Sequence, residues 1–240
     1  MSSQEIGSDG GRSADAPAAR KPHGGMRLLN ADDVAHLAAA IEPQYSALVF
    51  AAAYTGCRFG ELAGLQVHNL DLLRRNLTVA EKLSDVRGQL ALSPVKAPAH
   101  RRIALPRFLV DELRKHFALW PPGPGGSVFT APQGGRLRSS NFRIRAWVPA
   151  VRASVGEPLG FRDLRHTQAA ILISQGEHPK TIQLRLGHPS LQVTLDTYGH
   201  FLEDAGDAGS GRLDAGYIET FRGFLASRAS TYSPANAQNP

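Results

Sequence analysis

Residues 185–200 read RLGHPSLQVTLDTYGH. Gly187 can end a helix in a left-handed turn, and Ser190 can cap a second helix that carries Tyr198. Two readings of Tyr198 compete: an aromatic packed at a helix end, or a nucleophile. A phenol has a pKa near 10, so only about one part in a thousand is ionised at pH 7. A nucleophilic Tyr198 therefore needs a base or strongly positive surroundings, and the rest of the chain decides whether it has them.

Positive charge is available. The 240 residues carry a net charge of +6, which favours an anionic partner, most simply nucleic acid. Residues 1–25 are neutral, because Arg12, Arg20 and Lys21 balance Glu5, Asp9 and Asp15. The surplus lies further on. Arg136, Arg138, Arg143, Arg145, Arg152, Arg162 and Arg165 face only Glu157 and Asp163 in the same stretch.

In FRDLRHTQAA, residues 161–170, Arg162 and Arg165 lie three apart at the start of a helix, with His166 adjacent. Cations oppose the dipole at a helix N-terminus, where the free N–H groups favour anions. Two arginines there make sense if an anion comes to the site. In TGCRFGEL, residues 55–62, Arg58 and Glu61 share a face if that stretch is helical and can pair. Lys96 lies in SPVKAPAHRR, in a turn between two expected strands, and His188 follows the glycine that ends its helix. Taken singly, each of these is an ordinary surface or capping residue.

The elements are readable in outline. Asn30 caps a helix in LNADDVAHLAAAI (29–41), and a second helix runs through YSALVFAAAYTG (45–56) to a break at Gly56. From Asn76, the stretches NLTVAEKL, QLALSPVK and HRRIALP are short and partly alternating, which predicts a small three-stranded antiparallel sheet. Helices return in PRFLVDELRKHFALW (106–120), after Ser140 with a disturbance at Pro149, in DLRHTQAAILISQG (163–176) and in HPKTIQLRLGH (178–188). The expected fold class is α+β, mostly α-helical. The expected organisation is a tail or linker remnant over 1–25, one domain over 26–205, and a segment over 206–240. That last segment holds one amphipathic stretch, GYIETFRGFLASR (216–228), and a polar end.

Several classes are disfavoured. The only cysteine, Cys57, excludes an intramolecular disulfide. The longest apolar run, YSALVFAAAYTGC, is too short and too polar for a membrane span. Residues 1–25 contain no apolar core segment of a secretory signal, so a cytoplasmic location is expected. His178, His188 and His200 fit no zinc spacing, and PPGPGG (121–126) lacks the Lys-Ser/Thr of a phosphate cradle. No metal or cofactor is expected. Arginines, a lysine, a histidine and a tyrosine suit attack on a phosphodiester, since guanidinium groups match phosphate oxygens and neutralise charge that builds in the transition state.

Four motifs stand in order: AAYTGCRFGELAGL (52–65), the turn lysine before RRIALP, FRDLRHTQAAILISQG (161–176) and RLGHPSLQVTLDTYGH. With them the chain resembles the catalytic domain of the tyrosine recombinase, or phage integrase, family from about Met26 to His200, and less clearly to Ser227. The resemblance implies that fold, with double-stranded DNA as partner. It implies catalytic roles for Arg58, Lys96, Arg165, His188 and Tyr198. Tyr198 would form a 3′-phosphotyrosyl link, Lys96 would protonate the leaving 5′ oxygen, and Glu61 would support Arg58. It further implies a tetramer on DNA, docked through the C-terminal segment, with accessory DNA-bending proteins as possible partners. Two departures are visible. Arg162 stands where the family usually has histidine. The N-terminal core-binding domain usual in the family has only the 1–25 tail in its place, as in an isolated catalytic fragment, a shortened relative or a remnant needing a partner. The alternatives are a relaxing enzyme of the type IB topoisomerase kind and a DNA-binding remnant with a weak or inactive site.

Overall fold

The computed structural model describes residues 26–199 and residue 201. The 1–25 segment, the expected boundary near 205 and GYIETFRGFLASR lie outside the described residues.

Helix α1 (Ala31–Ala40) starts on a complete capping box: the Asn30 side chain accepts from the Asp33 N–H at 2.8 Å, and the Asn30 N–H donates to the Asp33 carboxylate at 3.1 Å. Its Val34 and Leu37 are buried, and it packs on helix α2 (Ser46–Thr55), which is buried along most of its length. An element apolar on every side belongs at the centre of a fold. Here α1, helix α4 (Arg107–Leu119) and helix α7 (Asp163–Ser174) all pack on α2. The short helix α3 (Phe59–Ala63) follows α2 after the turn at Gly56–Cys57.

The sheet differs in detail from the expected one. NLTVAEKL breaks at Ala80 into strand β2 (Asn76–Val79) and strand β3 (Glu81–Val86). Strand β2 pairs antiparallel with strand β5 (Arg101–Ala104) and with the two-residue strand β1 (Leu70–Asp71) to make a three-stranded sheet. Strand β3 pairs instead with strand β4 (Gln89–Pro94) in a separate hairpin, through a two-residue turn at Arg87–Gly88 with φ of 52° and 81°. The break follows burial. Leu77 and Val79 point into the core on alternate residues, whereas Leu83 is the one fully buried side chain of β3.

Helix α5 (Ser139–Phe142) leads through a π-helical stretch (Arg143–Trp147) into helix α6 (Val148–Ser154). The widened turn directly precedes Pro149, which has no N–H to give Arg145 and would clash with its carbonyl in an α-helix. This is the disturbance the proline foretells. Helix α7 ends with Gly176 in the left-handed region, φ 76°. Helix α8 (Pro179–Leu186) ends in the same way at Gly187, φ 67°. A further helix, α9, covers 191–199, and the Ser190 hydroxyl accepts from the Val193 N–H at its start.

Candidate active site

The polar groups of the site hang from the ends of helices rather than from their middles. Gly56 leaves α2 with φ 69°, and a Cβ there would stand 2.5 Å from Leu186 Cδ2. This close, left-handed turn leaves Cys57 buried and brings Arg58 out to the cleft. Gly187 plays the same part at the end of α8 and delivers His188.

Arg165 joins the two turns. Its Nη1 donates to the Gly56 carbonyl at 2.5 Å and its Nη2 to the Leu186 carbonyl at 2.6 Å. Both carbonyls belong to helix C-termini, where the helix dipole is negative, so they suit a buried guanidinium. Burial first, then the neighbouring Arg58 and Arg101, lowers the Arg165 pKa to about 10, which still leaves it charged at neutral pH.

Glu61 is buried between two arginines. Arg58 Nη1 donates to its Oε1 at 2.9 Å, the Arg58 backbone N–H donates to its Oε2 at 2.9 Å, and Arg101 Nη2 reaches Oε2 at 2.9 Å. Burial acts to raise the carboxyl, but the bonds from Arg101 and Arg58 outweigh it and hold Glu61 below the usual carboxylate range. The expected Arg58–Glu61 pair therefore forms, with Arg101 as a third member that sequence reasoning missed. A signal for it existed: in RRIA, Arg101 alternates with buried Ile103, so its side chain must point inward. An inward arginine requires a buried acid.

Arg58, Arg162, Arg165, His166, His188 and Tyr198 line one cleft of about 620 Å³. Lys96 does not. It is exposed on the connection between β4 and β5, its carbonyl accepting from the Ala99 N–H at 2.9 Å. The remaining expected residues on the cleft are brought together from positions up to 140 apart in sequence.

Tyr198 is 1% exposed and packs with Leu172, Ile182 and Leu186. The packed-aromatic reading of this residue therefore holds, and the residue also lines the cleft. The hydroxyl lies 2.9 Å from His166 Nδ1, whose ring meets the phenol edge-on at 5.7 Å. The His188 ring lies nearly parallel to the phenol, 6.2 Å away, with its own Nδ1 bonded to Thr194 Oγ1 at 2.8 Å. Burial, and then Arg165, Arg58, Arg101 and Arg162, lower the His188 pKa to about 4, so the imidazole is neutral at pH 7. Burial raises the Tyr198 pKa against the opposing pull of Arg165, Arg162 and Arg58. In this state the arginines do not ionise the phenol.

The arrangement can grip a tetrahedral anion between guanidinium groups with a hydroxyl at its edge. Among the described residues no three His, Cys, Asp or Glu side chains group as a metal site would need, and no helix is long and apolar enough to cross a membrane.

The family model described as "Phage integrase family" matches residues 27–204. The integrase of Staphylococcus phage L54a is 26% identical over 163 residues, covering 63% of this chain and 46% of its own. The chain spans about half the length of the relatives it matches. The Tn1549 transposon integrase, solved in complex with circular intermediate DNA, superposes with a TM-score of 0.68 at 20% identity, over 79% of this chain and 67% of the other. XerA recombinase superposes with a TM-score of 0.59 at 22% identity, over 71% and 59%. These likenesses establish the fold.

Proposed function

Because this chain belongs to the phage integrase family, we propose that it cleaves and rejoins DNA strands at a specific site through a 3′-phosphotyrosine intermediate. One observation carries the reading above all others: Tyr198 lines the same cleft as Arg58, Arg162 and Arg165.

A backbone phosphate seated there would take hydrogen bonds from Arg58 and Arg165, the former aimed by Glu61 and the latter by two helix-end carbonyls. The Tyr198 oxygen attacks phosphorus and the P–O5′ bond breaks. The five-coordinate transition state gains charge on its equatorial oxygens, where preorganised donors stabilise it most. Losing one such donor costs roughly 3–4 kcal/mol of barrier. His188, held neutral, serves as a further donor to a phosphate oxygen. Lys96, on its exposed connection, is the residue to protonate the 5′ oxygen. The phosphotyrosyl bond conserves the energy of the broken linkage, so rejoining needs no nucleotide cofactor.

The partner on this reading is double-stranded DNA, with four chains assembled on it, accessory DNA-bending proteins where the site requires them, and the cytoplasm as the location. The Tn1549 integrase complex with DNA supports the first of these.

The test is a suicide substrate: a nicked or 5′-bridging phosphorothiolate duplex carrying an attachment sequence from the flanking genome, which traps the covalent adduct. Wild type should form it and Tyr198→Phe should not. Duplex binding without any wild-type adduct would favour the DNA-binding remnant instead.

A further inference from the structure

Arg162 occupies the first position of FRDLR, and a guanidinium does not accept a proton at neutral pH. Yet Tyr198 must lose one to attack, and the cleft does not ionise it unaided. A group that takes the proton has to lie within hydrogen-bond reach of the phenol oxygen.

We propose that His166 is that group: in this chain the imidazole that accepts the Tyr198 proton is supplied one helical turn beyond Arg162. The inference rests on the strand-cleavage reading above. His166 Nδ1 stands 2.9 Å from the phenol oxygen. Residues four apart on a helix share a face, and the His166 N–H bonds the Arg162 carbonyl at the first turn of α7. Positions 162 and 166 thus both line the cleft, with the exposed arginine nearer solvent and the buried histidine under the tyrosine. The other candidates are placed differently. His188 Nδ1 is committed to Thr194, and its ring lies nearly parallel to the phenol at a centroid distance of 6.2 Å. Lys96 lies outside the cleft.

The step balances without a further reactant. The O–H bond of Tyr198 breaks and its proton passes to Nδ1, while the Oη–P bond forms. The P–O5′ bond breaks and the 5′ oxygen takes a proton from Lys96 or from water. In rejoining, the proton on His166 returns to the phenol as it leaves phosphorus. Among the described residues, the charged and titratable groups lining the cleft with His166 are Cys57 and Arg58 after α2, Arg162 at the start of α7, Arg165 on α7, His188 before α9 and Tyr198 itself.

The experiment measures single-turnover adduct formation on the suicide substrate from pH 5.5 to 9.5, with wild type, His166→Ala and His166→Gln. Duplex affinity is measured in parallel by fluorescence anisotropy. The expected result is a wild-type rate that rises through one ionisation to a plateau. Both variants should be at least about 100-fold slower at pH 7, in line with the usual worth of a general base. Their deficit should shrink about tenfold per pH unit above the plateau, as hydroxide takes over. Added imidazole should restore part of the His166→Ala rate, and duplex affinity should stay within about twofold. Gln offers an acceptor that cannot carry a proton. Full activity in His166→Gln would therefore reduce His166 to a positioning residue and overturn the proposal, and so would an unaltered pH profile in either variant. If Gln unfolds the chain, imidazole rescue of His166→Ala decides, and its failure counts against a base. Absence of an adduct from wild type itself would overturn the cleavage reading, and this inference with it.

Discussion

Glu61 shows how the site separates stability from chemistry. It is 5% exposed and bonded to both Arg58 and Arg101. Arg101→Met removes its buried partner and leaves a carboxylate tied only to the half-exposed Arg58. Breaking a buried pair in this way typically costs about 3–5 kcal/mol, and urea unfolding should record it. Arg58→Ala leaves the Glu61–Arg101 bridge intact, so unfolding should move by less than about 1 kcal/mol, as for an exposed pair, while adduct formation falls about 100-fold or more. His188 adds a pH dependence. Its folded-state pKa near 4 lies below the ordinary 6.5, so as pH falls the unfolded chain takes up the proton first. Stability is therefore complete above pH 6.5 and declines as pH falls from 6.5 toward 4, where the folded state also protonates. Thermal melts over this range should show the decline in wild type, and His188→Gln should flatten it. At this scale the gathering of Arg58, Arg165, His188 and Tyr198 on one cleft was legible because chemistry-bearing residues in motif order are a local signal. The Arg101–Glu61 and His166–Tyr198 pairings were not, because each joins residues 32 or more apart that no spacing announces, even though strand alternation turns Arg101 inward.

The helix ends are the working elements. Gly56 and Gly187 turn the chain with positive φ, and Arg165 binds the carbonyls at both turns. Gly56→Ala adds left-handed strain of roughly 1 kcal/mol and places a methyl against Leu186 and Gln168. The expected outcome is a melting temperature lower by about 3–8 °C and slower adduct formation, because the turn that carries Arg58 shifts. Both glycines, the Asn30 cap and the Ser190 cap were readable, since capping depends on a few adjacent residues. The division of NLTVAEKL was not. A hydrophobic alternation of eight residues looks continuous, and only the tertiary burial of Leu77 and Val79 separates β2 from β3. Strand β1, of two residues, is too short to carry a period at all.

Over the whole molecule, the arginine surplus resolves into distinct roles. Arg138 is paired with Asp85 and Arg152 with Glu157, while Arg165 is buried on carbonyls. Among the described residues, Arg143 and Arg145 are exposed on the π-helical stretch with no acidic partner, flanking the exposed Ile144. On the proposed function they contact phosphates, each contributing about 0.9 to the slope of log affinity against log salt. Arg143→Gln/Arg145→Gln should flatten that slope by about 2 in anisotropy titrations, and an unchanged slope would place the DNA elsewhere. The Arg165 clasp also has a consequence in time. Its two acceptors lie 109 residues before it and 21 after it, and contacts of such separation form late because loop closure precedes them. During synthesis, α2, the hairpin and α4 emerge well before α8 closes the clasp and α9 brings in the phenol. On the proposed function, a chain still on the ribosome thus carries arginines but no poised nucleophile, and the strand-breaking centre forms only once residues through Tyr198 have been made.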